Sequence, residues 1–355
     1  MKPLYITAAV TFSGKTSLLL GIGLKLTQMG KNVGYFKPVS TQPYLEGGKL
    51  VDEDADFVRR ILAIRTPADQ LSSVIIDDKM LERLIQGKEN RDFLEDIKKD
   101  YATLSEGRDV LLLEGGASMR EGYTVGVSTV SLATSLDLPT LGVVRYRDGL
   151  KLMDDVLALA TRLEKHLLGV VVNGVPTEAM AQMTDQVAPY LEKRGIRVYG
   201  VLPQDQSLMA LTVGEVVTLL DAKVLTGEER RDALIENLSV GAMSAEQALP
   251  RFRRMLNKAV ITGGDRADLQ AAALETSTTA LILSGNLPPP SSIIQRAKEM
   301  GVAVLMTNTS TLEAVEAVEK VFGKTRLAQT EKLTRYRLML DQHFDFNRLF
   351  ADMGV

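Results

Sequence analysis

A Gly-Lys-Thr triplet near the amino terminus has the residue types of a phosphate-binding loop. Gly14, Lys15 and Thr16 follow a strand-like run and precede a run with helical spacing. In such a strand–loop–helix unit, backbone N–H groups surround the phosphates, the lysine reaches the β and γ oxygens and the hydroxyl binds Mg²⁺. The amino-terminal end of the helix adds partial positive charge. We predict a phosphate site whose contacts are Thr11, Ser13, Gly14, Lys15, Thr16 and Ser17.

The first glycine of the strict pattern G-x-x-x-x-G-K-[ST] is missing, because Ala9 occupies that position. Alanine adds one methyl group and disfavours a positive φ, so it matters only where the backbone must be left-handed or a phosphate must approach very closely. An ordinary strand–turn–helix with an incidental Gly-Lys-Thr is the alternative interpretation. The position of the triplet directly between a strand and a helix favours the phosphate site and a bound nucleotide.

Three other polar residues lie where predicted strands end. Glu114 ends an apolar strand at the edge where open α/β sheets bind ligands, so we predict a direct or water-mediated Mg²⁺ contact beside Thr16. Lys37 precedes a proline, which fixes its direction, and its charge suits a phosphoryl group in transfer. The Asn173 amide both donates and accepts, as an adenine edge requires. The alternative interpretations are that Glu114 and Asn173 are ordinary turn residues and that Lys37 is a solvated surface lysine.

Short apolar runs alternate with amphipathic helical runs, which predicts an α/β fold with a P-loop NTPase-type parallel sheet and helices on both faces. This domain is predicted to span 1–208. A smaller α/β domain follows over 209–322, and a charged helical tail over 323–355 carries an aromatic segment that is expected to dock on this chain or on a partner. The predicted strands of the first domain are Leu4–Ala9, Asn32–Val39, Asp109–Gly115, Pro139–Arg145, Leu167–Val175 and Arg197–Pro203.

The composition of the 355 residues argues against several classes of protein. The net charge is −3 and no long basic run occurs, so no nucleic-acid partner is expected. Cysteine is absent, which excludes disulfides, thiolate metal sites and a cysteine nucleophile. We expect no membrane contact, since no stretch of about 18 apolar residues occurs. The amino terminus lacks the pattern of a signal peptide, so a cytoplasmic location is expected.

The segment "ITAAVTFSGKT", followed by "YFKPVS", resembles the start of dethiobiotin synthetase. In that alignment Ala8, rather than Ala9, stands where the family has its first glycine. The resemblance implies ATP and Mg²⁺ as cofactors, with Lys15 and Lys37 as the catalytic residues. It also implies a small carboxylate as the substrate class.

Three further segments resemble the same family in the same order. "DEDADFV" resembles the segment that carries an acidic Mg²⁺ ligand, which implies Asp54, with Asp56 as the alternative. "LLLEGGAS" resembles the strand that ends in Glu-Gly and implies Glu114 at the metal. "VVVNGV" and "GVLPQD" resemble the adenine-binding stretch, which implies Asn173 near the base and Pro203 in the loop that closes over it.

The substrate side of the resemblance is weaker than the nucleotide side. Gln42 stands where dethiobiotin synthetase has a glycine beside its small substrate, and the chain carries about 150 extra residues relative to that family. Biotin synthesis is therefore not expected.

The second domain resembles a DRTGG domain through "LTVGEVVTLLDAKVLTG", "VGAM" and "VITGGDRADLQAA". The whole layout resembles the amino-terminal region of long bacterial phosphotransacetylases without their acetyl-transferring domain, so phosphotransacetylase activity of this chain on its own is not expected. The resemblance implies a regulatory role. The turns at the strand ends suit an anion, with Asp265, Arg266 and Ser284 as candidate ligand contacts. Ordinary turns at a dimer interface are the alternative.

Two functions from different classes remain open. The first is an ATP-dependent enzyme in which Lys15, Thr16, Asp54 and Glu114 hold Mg-ATP and Lys37 assists transfer to water or a small acid. The second is a nucleotide-sensing protein that acts on a metabolic enzyme partner, such as an acetyl-transferring one. A homodimer is expected under either, because the domains that this chain resembles commonly pair.

Overall fold

The computed structural model describes residues 1–241, 243–321 and 330–355, and they form two compact units. The first unit contains Met1–Gln204 and the helices Thr330–His343 and Phe346–Met353. The second begins at Asp205 and contains the helix Thr311–Val321. The predicted boundary after residue 208 stays a prediction, and the one after residue 322 lies outside the described residues.

The first unit is built on a six-stranded parallel sheet, which confirms the predicted fold class. The sheet is apolar almost throughout, because helices cover both of its faces and bury its side chains. Its strands, in spatial order, are Val198–Pro203, Leu167–Val175, Thr140–Arg145, Lys2–Ala8, Val110–Glu114 and Val33–Phe36.

The predicted strand Asn32–Val39 is shorter in the structure, where it ends at Phe36. Pro38 has no N–H to donate to a neighbouring strand, so the ladder stops before it. The chain then pairs again as Val39–Ser40 with Val74–Ile75. This interruption directs Lys37 away from the sheet ladder and towards its carboxyl edge.

The helices of the first unit pack on the two faces of the sheet. The helix Lys15–Gln28 follows the central strand and buries a row of leucine and isoleucine side chains. Two short strands, Pro43–Glu46 and Lys49–Asp52, form a hairpin between the strand Val39–Ser40 and the next helix. The other helices of this unit are Glu53–Ile61, Asp78–Ile85, Phe93–Ser105, Thr129–Ser135, Gly149–Leu163, Thr177–Gln182 and Ala188–Lys193.

The two C-terminal helices belong to the first unit and pack on it. Gly21 of the helix Lys15–Gln28 allows this contact, because a Cβ there would lie 2.1 Å from Cδ1 of Leu340. At the outer edge of the sheet, the Asp345 N–H donates to the Tyr199 carbonyl at 2.7 Å, and Phe344 forms a β-bridge with Gly200. The aromatic segment of the tail therefore docks on this chain and covers an exposed strand edge.

The second unit contains a five-stranded sheet with the spatial order Lys223–Thr226, Ala303–Met306, Thr278–Ser284, Lys258–Gly263 and Asn237–Val240. All neighbours are parallel except Lys223–Thr226, which is antiparallel to Ala303–Met306. The strands Leu211–Thr212 and Leu234–Ile235 form a separate antiparallel pair. The helices are Gln206–Met209, Val213–Leu219, Ala245–Arg254, Ala267–Leu274, Ser291–Met300 and Thr311–Val321. Among the described residues of either unit, no helix is long and apolar enough to cross a membrane.

Lys258 is a buried lysine in the second unit whose hydrogen-bond partners are uncharged. Its ammonium group donates to Thr276 Oγ1 at 2.7 Å and to the Ser277 carbonyl at 2.8 Å. Burial lowers the pKa of Lys258 from 10.5 to about 8. The fold therefore disfavours the charged amine, and the free energy of unfolding includes an unfavourable contribution from this residue below pH 8.

Lys258→Met is expected to stabilise the second unit by about 1–3 kcal/mol at pH 7, because it removes a buried charge while keeping the apolar stem. Between pH 8 and 10.5 the unfolded chain binds more protons than the folded one, so the wild type gains stability as the pH rises and the advantage of the variant shrinks. Urea denaturation at pH 7 and 9.5 measures both effects. Lys223→Met, on an exposed side chain of the same sheet, is the control. A gain that does not shrink at pH 9.5 would contradict this account.

Candidate functional site

The loop over residues 9–14 joins the central strand to the helix Lys15–Gln28 at the carboxyl edge of the first sheet. Gly14 caps this helix with a φ of +88°, a conformation that favours glycine. A Cβ at Gly14 would also lie 2.3 Å from Nδ2 of Asn173. Ala8 and Ala9 are not among the residues with positive φ, so alanine introduces no backbone strain at either position of the missing glycine.

Lys15 has a buried ammonium group at the first position of this helix. Burial lowers the pKa of Lys15, and the negative charge of Glu114 opposes that shift. Within the described part of the chain, no side chain forms a hydrogen bond or an ion pair with its Nζ. A buried cation in this situation is suited to an anionic ligand that replaces its lost hydration.

Thr16 and Glu114 meet at the end of their two elements, where the Thr16 hydroxyl donates to Glu114 Oε1 at 2.5 Å. The other oxygen, Oε2, accepts from the Tyr35 hydroxyl at 2.8 Å. Burial raises the pKa of Glu114, and the positive charge of Lys37 opposes the rise. Burial and the Glu114 charge raise the pKa of Tyr35 well above its usual value, so its phenol stays protonated and donates. Lys37 is one positive charge near Glu114, and a further cation beside this carboxylate would lower the free-energy cost of burying it.

Lys37 lies between two carboxylates at the same edge. Its Nζ is 3.0 Å from Asp52 and 2.9 Å from Asp54 Oδ2. Burial alone would lower the pKa of Lys37, but the charges of Glu114, Asp54 and Asp52 outweigh it and raise the pKa above the usual value. The lysine is therefore a permanent cation in this structure.

The two acidic candidates from the sequence occupy different surroundings. Asp54 faces Lys37 at the sheet edge. Asp56, the alternative, points to a different set of partners, with Arg59 at 2.8 Å and the Tyr44 hydroxyl at 3.2 Å. The structure thus brings Asp54, and not Asp56, to Lys37.

Asn173 and Pro203 lie at the same edge of the sheet on the other side of the loop. The Asn173 amide donates from Nδ2 to the Ser13 carbonyl at 2.9 Å, so this side chain holds the loop. Pro203 is half-buried at the end of the neighbouring strand. Within the loop, the Ser13 hydroxyl donates to the Val10 carbonyl at 2.5 Å, and Thr11 is exposed.

Sequence reasoning missed three residues that complete the site. Asp52 is fully buried and caps the helix Glu53–Ile61 by accepting from the Ala55 N–H at 2.8 Å. An aspartate directly before a helical run is a cap signal that could have identified it. Tyr35 is two residues before Lys37, so the period of a strand places both on one face. Ser40, which donates its hydroxyl to Asp52, had no such signal.

The candidate residues of the second unit lie at the carboxyl edge of its sheet. Arg266 pairs with Asp268 at 3.0 Å and donates to the Met243 carbonyl at 2.9 Å. Asp265 lies in the turn before it. The Ser284 hydroxyl is 2.6 Å from the Thr311 hydroxyl. The structure places these residues on neighbouring strand ends, with the charge of Arg266 already matched by a carboxylate.

The residues of the first unit have the chemistry of a magnesium and phosphate site. Among the described residues, no group of three or more histidine, cysteine, aspartate or glutamate side chains is arranged to hold a metal ion alone. Thr16, Glu114 and Asp54 are oxygen donors, which Mg²⁺ prefers, and Mg²⁺ completes its shell with phosphate oxygens and water in sites of this kind. The buried Glu114 carboxyl fits a divalent cation, and the Lys15 ammonium, which has no side-chain partner among the described residues, fits an anion.

Comparison with known families identifies both units. A profile of the AAA domain family matches residues 2–212, more than half of the chain. The chain belongs to this family. A profile of the DRTGG domain matches residues 215–321 and follows the AAA domain directly. A P-loop AAA domain joined to a DRTGG domain fits nucleotide binding with regulation.

Curated relatives confirm the resemblance that the sequence predicted. The phosphate acetyltransferase of Nitrosomonas europaea is 24% identical over 366 residues, which cover 97% of this chain and 50% of that protein. The ATP-dependent dethiobiotin synthetase of Caldicellulosiruptor saccharolyticus is 30% identical over 116 residues, 32% of this chain and 48% of that protein. The AAA-domain chain thus spans about half the length of the phosphate acetyltransferases that it matches.

Among solved structures, the CBS and DRTGG domains of Clostridium perfringens pyrophosphatase, complexed with the activator diadenosine tetraphosphate, match with a TM-score of 0.29 and 20% identity. The match covers 42% of this chain and 73% of that chain. A TM-score this low gives no residue-by-residue correspondence between that structure and the AAA-domain chain.

Proposed function

We propose that the AAA domain binds Mg-ATP and releases or transfers its γ-phosphoryl group slowly, under the control of the DRTGG domain. The observation that carries this proposal is the buried Lys15 ammonium, which has no side-chain partner in the described residues, beside the Thr16–Glu114 pair. A buried cation and a metal-type oxygen pair at a helix amino terminus together match the two ends of a magnesium-bound triphosphate.

Each residue of the site has a separate task in this proposal. Thr16, Glu114 and Asp54 hold Mg²⁺, which neutralises charge on the phosphates when bound. Lys15 binds the β and γ oxygens, and the backbone N–H groups of the loop, with Thr11, Ser13 and Ser17, surround the phosphates. Asn173 and Pro203 contact adenine. In Asn173, Nδ2 is already bound to the loop, which leaves Oδ1 to accept from the base.

Lys37 is the residue that distinguishes an enzyme from a binding protein. In phosphoryl transfer, an acceptor oxygen bonds to the γ-phosphorus while the bond between that phosphorus and the ADP oxygen breaks. A water acceptor loses a proton to bulk solvent, whereas an ionised carboxylate acceptor has no proton to lose. Negative charge is distributed over the transferred group, and a fixed cation stabilises it. Lys37 is such a cation, because carboxylates on two sides hold it at the sheet edge. The acceptor class in this proposal is water or a small carboxylate.

A second function follows from the match to the DRTGG domain. In it, the AAA domain binds nucleotide without turnover, and the DRTGG domain, with Asp265, Arg266 and Ser284 at its ligand site, reports the bound state to a metabolic enzyme. The similarity to phosphate acetyltransferases favours an acetyl-transferring enzyme as this partner. Under both proposed functions, the protein is a homodimer in the cytoplasm.

Calorimetric titration with Mg²⁺ and a non-hydrolysable ATP analogue, followed by phosphate release from ATP, tests the proposal on one sample. We expect micromolar or tighter binding with measurable release. Lys37→Ala should retain most of the affinity and lose phosphate release at least tenfold, because its charge acts on the transferred group. Tight binding without release in the wild type would favour the sensor. The absence of binding would exclude both functions.

A further inference from the structure

The two carboxylates that bind Lys37 differ in their freedom to move. The Lys37 side chain is only 7% exposed, and the Asp52 side chain is not exposed at all. The Asp54 side chain is 38% exposed, on the first turn of the helix that Asp52 caps. One partner of the lysine is therefore enclosed by protein, and the other faces solvent.

Asp52 is fixed by donors from three directions. The Ala55 N–H donates to one oxygen, the Ser40 hydroxyl donates to the other, and Lys37 approaches both at 3.0 Å. Rotation of this carboxylate would leave a buried N–H and a buried hydroxyl without an acceptor and would remove one of the two carboxylates that bind Lys37, which is a large cost. Asp52 therefore stays in place when its surroundings change.

Asp54 contacts Lys37 through Oδ2, which is also the kind of oxygen that Mg²⁺ binds. A magnesium ion and a lysine ammonium repel each other strongly at short distance in a partly buried site. When a metal ion takes Asp54, the ion pair with Lys37 must weaken or break. A buried lysine without any carboxylate would then be an uncompensated charge.

We propose that Lys37 is the internal counter-ion of Asp54 until magnesium binds, and that Asp52 is a positioning residue that keeps Lys37 in the site once magnesium holds Asp54. This inference rests on the proposed Mg-ATP site and adds an exchange of cations to it. The ammonium occupies the acidic edge in the absence of metal, so the metal ion enters efficiently only together with the phosphates. Asp52 keeps the lysine beside the position of the γ-phosphate during the exchange.

The competition between lysine and metal is tested without nucleotide. Binding of Mn²⁺ to the full chain is followed by the loss of the free-ion electron paramagnetic resonance signal. Lys37→Met is expected to bind Mn²⁺ at least tenfold more tightly than the wild type, because the competing charge is gone. Lys49→Met, which removes an exposed lysine from its pair with Asp69, is the matched control and should leave the affinity within twofold. Equal affinity of Lys37→Met and the wild type would overturn the proposal.

A second measurement covers the case in which Lys37→Met fails to fold, since it leaves Asp52 buried without its cation. Nuclear magnetic resonance of ¹⁵Nζ-labelled lysine observes the Lys37 ammonium in the wild type and in Asp52→Asn. The asparagine keeps an acceptor oxygen for the Ala55 N–H, and its NH₂ group can donate to the Ser40 hydroxyl oxygen. The ligand is Mg-ADP rather than Mg-ATP, because the γ-phosphate of ATP would itself bind the Lys37 ammonium in place of a carboxylate.

The expected result is a Lys37 signal that persists in the wild type with and without Mg-ADP. In Asp52→Asn the signal should be present without ligand, because Asp54 remains, and should be lost with Mg-ADP. A signal that survives Mg-ADP in Asp52→Asn, or that is lost in the wild type, would overturn the role of Asp52. If calorimetry detects no Mg-ADP binding to the wild type, the proposed function fails as well. Binding with unchanged signals refutes the cation exchange alone.

Discussion

Lys15→Ala is expected to weaken binding of Mg²⁺ with a non-hydrolysable ATP analogue at least 100-fold. The wild-type ammonium is already buried at the helix amino terminus, with its pKa lowered by burial, so the protein bears the cost of its dehydration before the ligand arrives. An ion pair with phosphate in such a site is worth several kcal/mol, which corresponds to two or more orders of magnitude in affinity. Calorimetric titration of the variant measures the loss directly.

The control for this variant lies on the same helix. Lys25 pairs with Asp341 at 2.8 Å in a half-exposed position, and Lys25→Ala should change the affinity by less than twofold. Thermal unfolding should show that Lys15→Ala is folded and no less stable than the wild type, because it removes a buried charge that has no side-chain partner in the part of the chain that the structure describes. A Lys15→Ala variant that binds the analogue as tightly as the wild type would exclude this loop as the phosphate site.

Glu114→Gln is expected to make nucleotide binding insensitive to magnesium and to reduce phosphate release at least 100-fold. The amide keeps the size of the side chain but offers one acceptor oxygen instead of two, so it cannot serve both the Thr16 and Tyr35 hydroxyls. It also removes the negative charge that a divalent cation needs. Wild-type affinity should fall at least tenfold when EDTA removes magnesium, whereas the affinity of Glu114→Gln should stay nearly constant.

Glu121→Gln is the matched control for this experiment. Glu121 follows the same strand, but its carboxylate accepts from the Ala117 N–H at 2.6 Å and from the Thr41 hydroxyl at 3.2 Å. Its neutralisation should leave the magnesium dependence intact. A Glu114→Gln variant that keeps the full response to EDTA would show that the metal, if bound, uses other ligands.

The fold of the first unit could be predicted from the sequence because its strands are covered on both faces. The strand Leu167–Val175 has the predicted bounds. A run that is apolar almost throughout is stable only as a strand whose two faces are both covered by helices, so the run itself marks the strand. The run with helical spacing next to the Gly-Lys-Thr triplet forms the helix Lys15–Gln28. The exception is Asn32–Val39, where an apolar run continues through Pro38 although the hydrogen-bond ladder cannot.

The site was only partly predictable, for a different physical reason. Lys15 and Thr16 are adjacent in sequence, so a local pattern is enough to identify them. Asp52 contacts Lys37, which precedes it by fifteen residues, and the hairpin that ends at Asp52 brings the two side chains together. No local pattern records such a register. The buried contact of Lys37 with Asp52 could therefore be identified only from the three-dimensional structure.

The packing of Leu340 against Gly21 has a consequence for the order in which the protein is made. The first unit is discontinuous in sequence, because the residues of the second unit are translated between its sheet and its C-terminal helices. While the ribosome synthesises that interval, the apolar surface around Gly21 and the strand edge at Gly200 have no cover. The phosphate loop therefore acquires its complete support only after the helices Thr330–His343 and Phe346–Met353 have been synthesised.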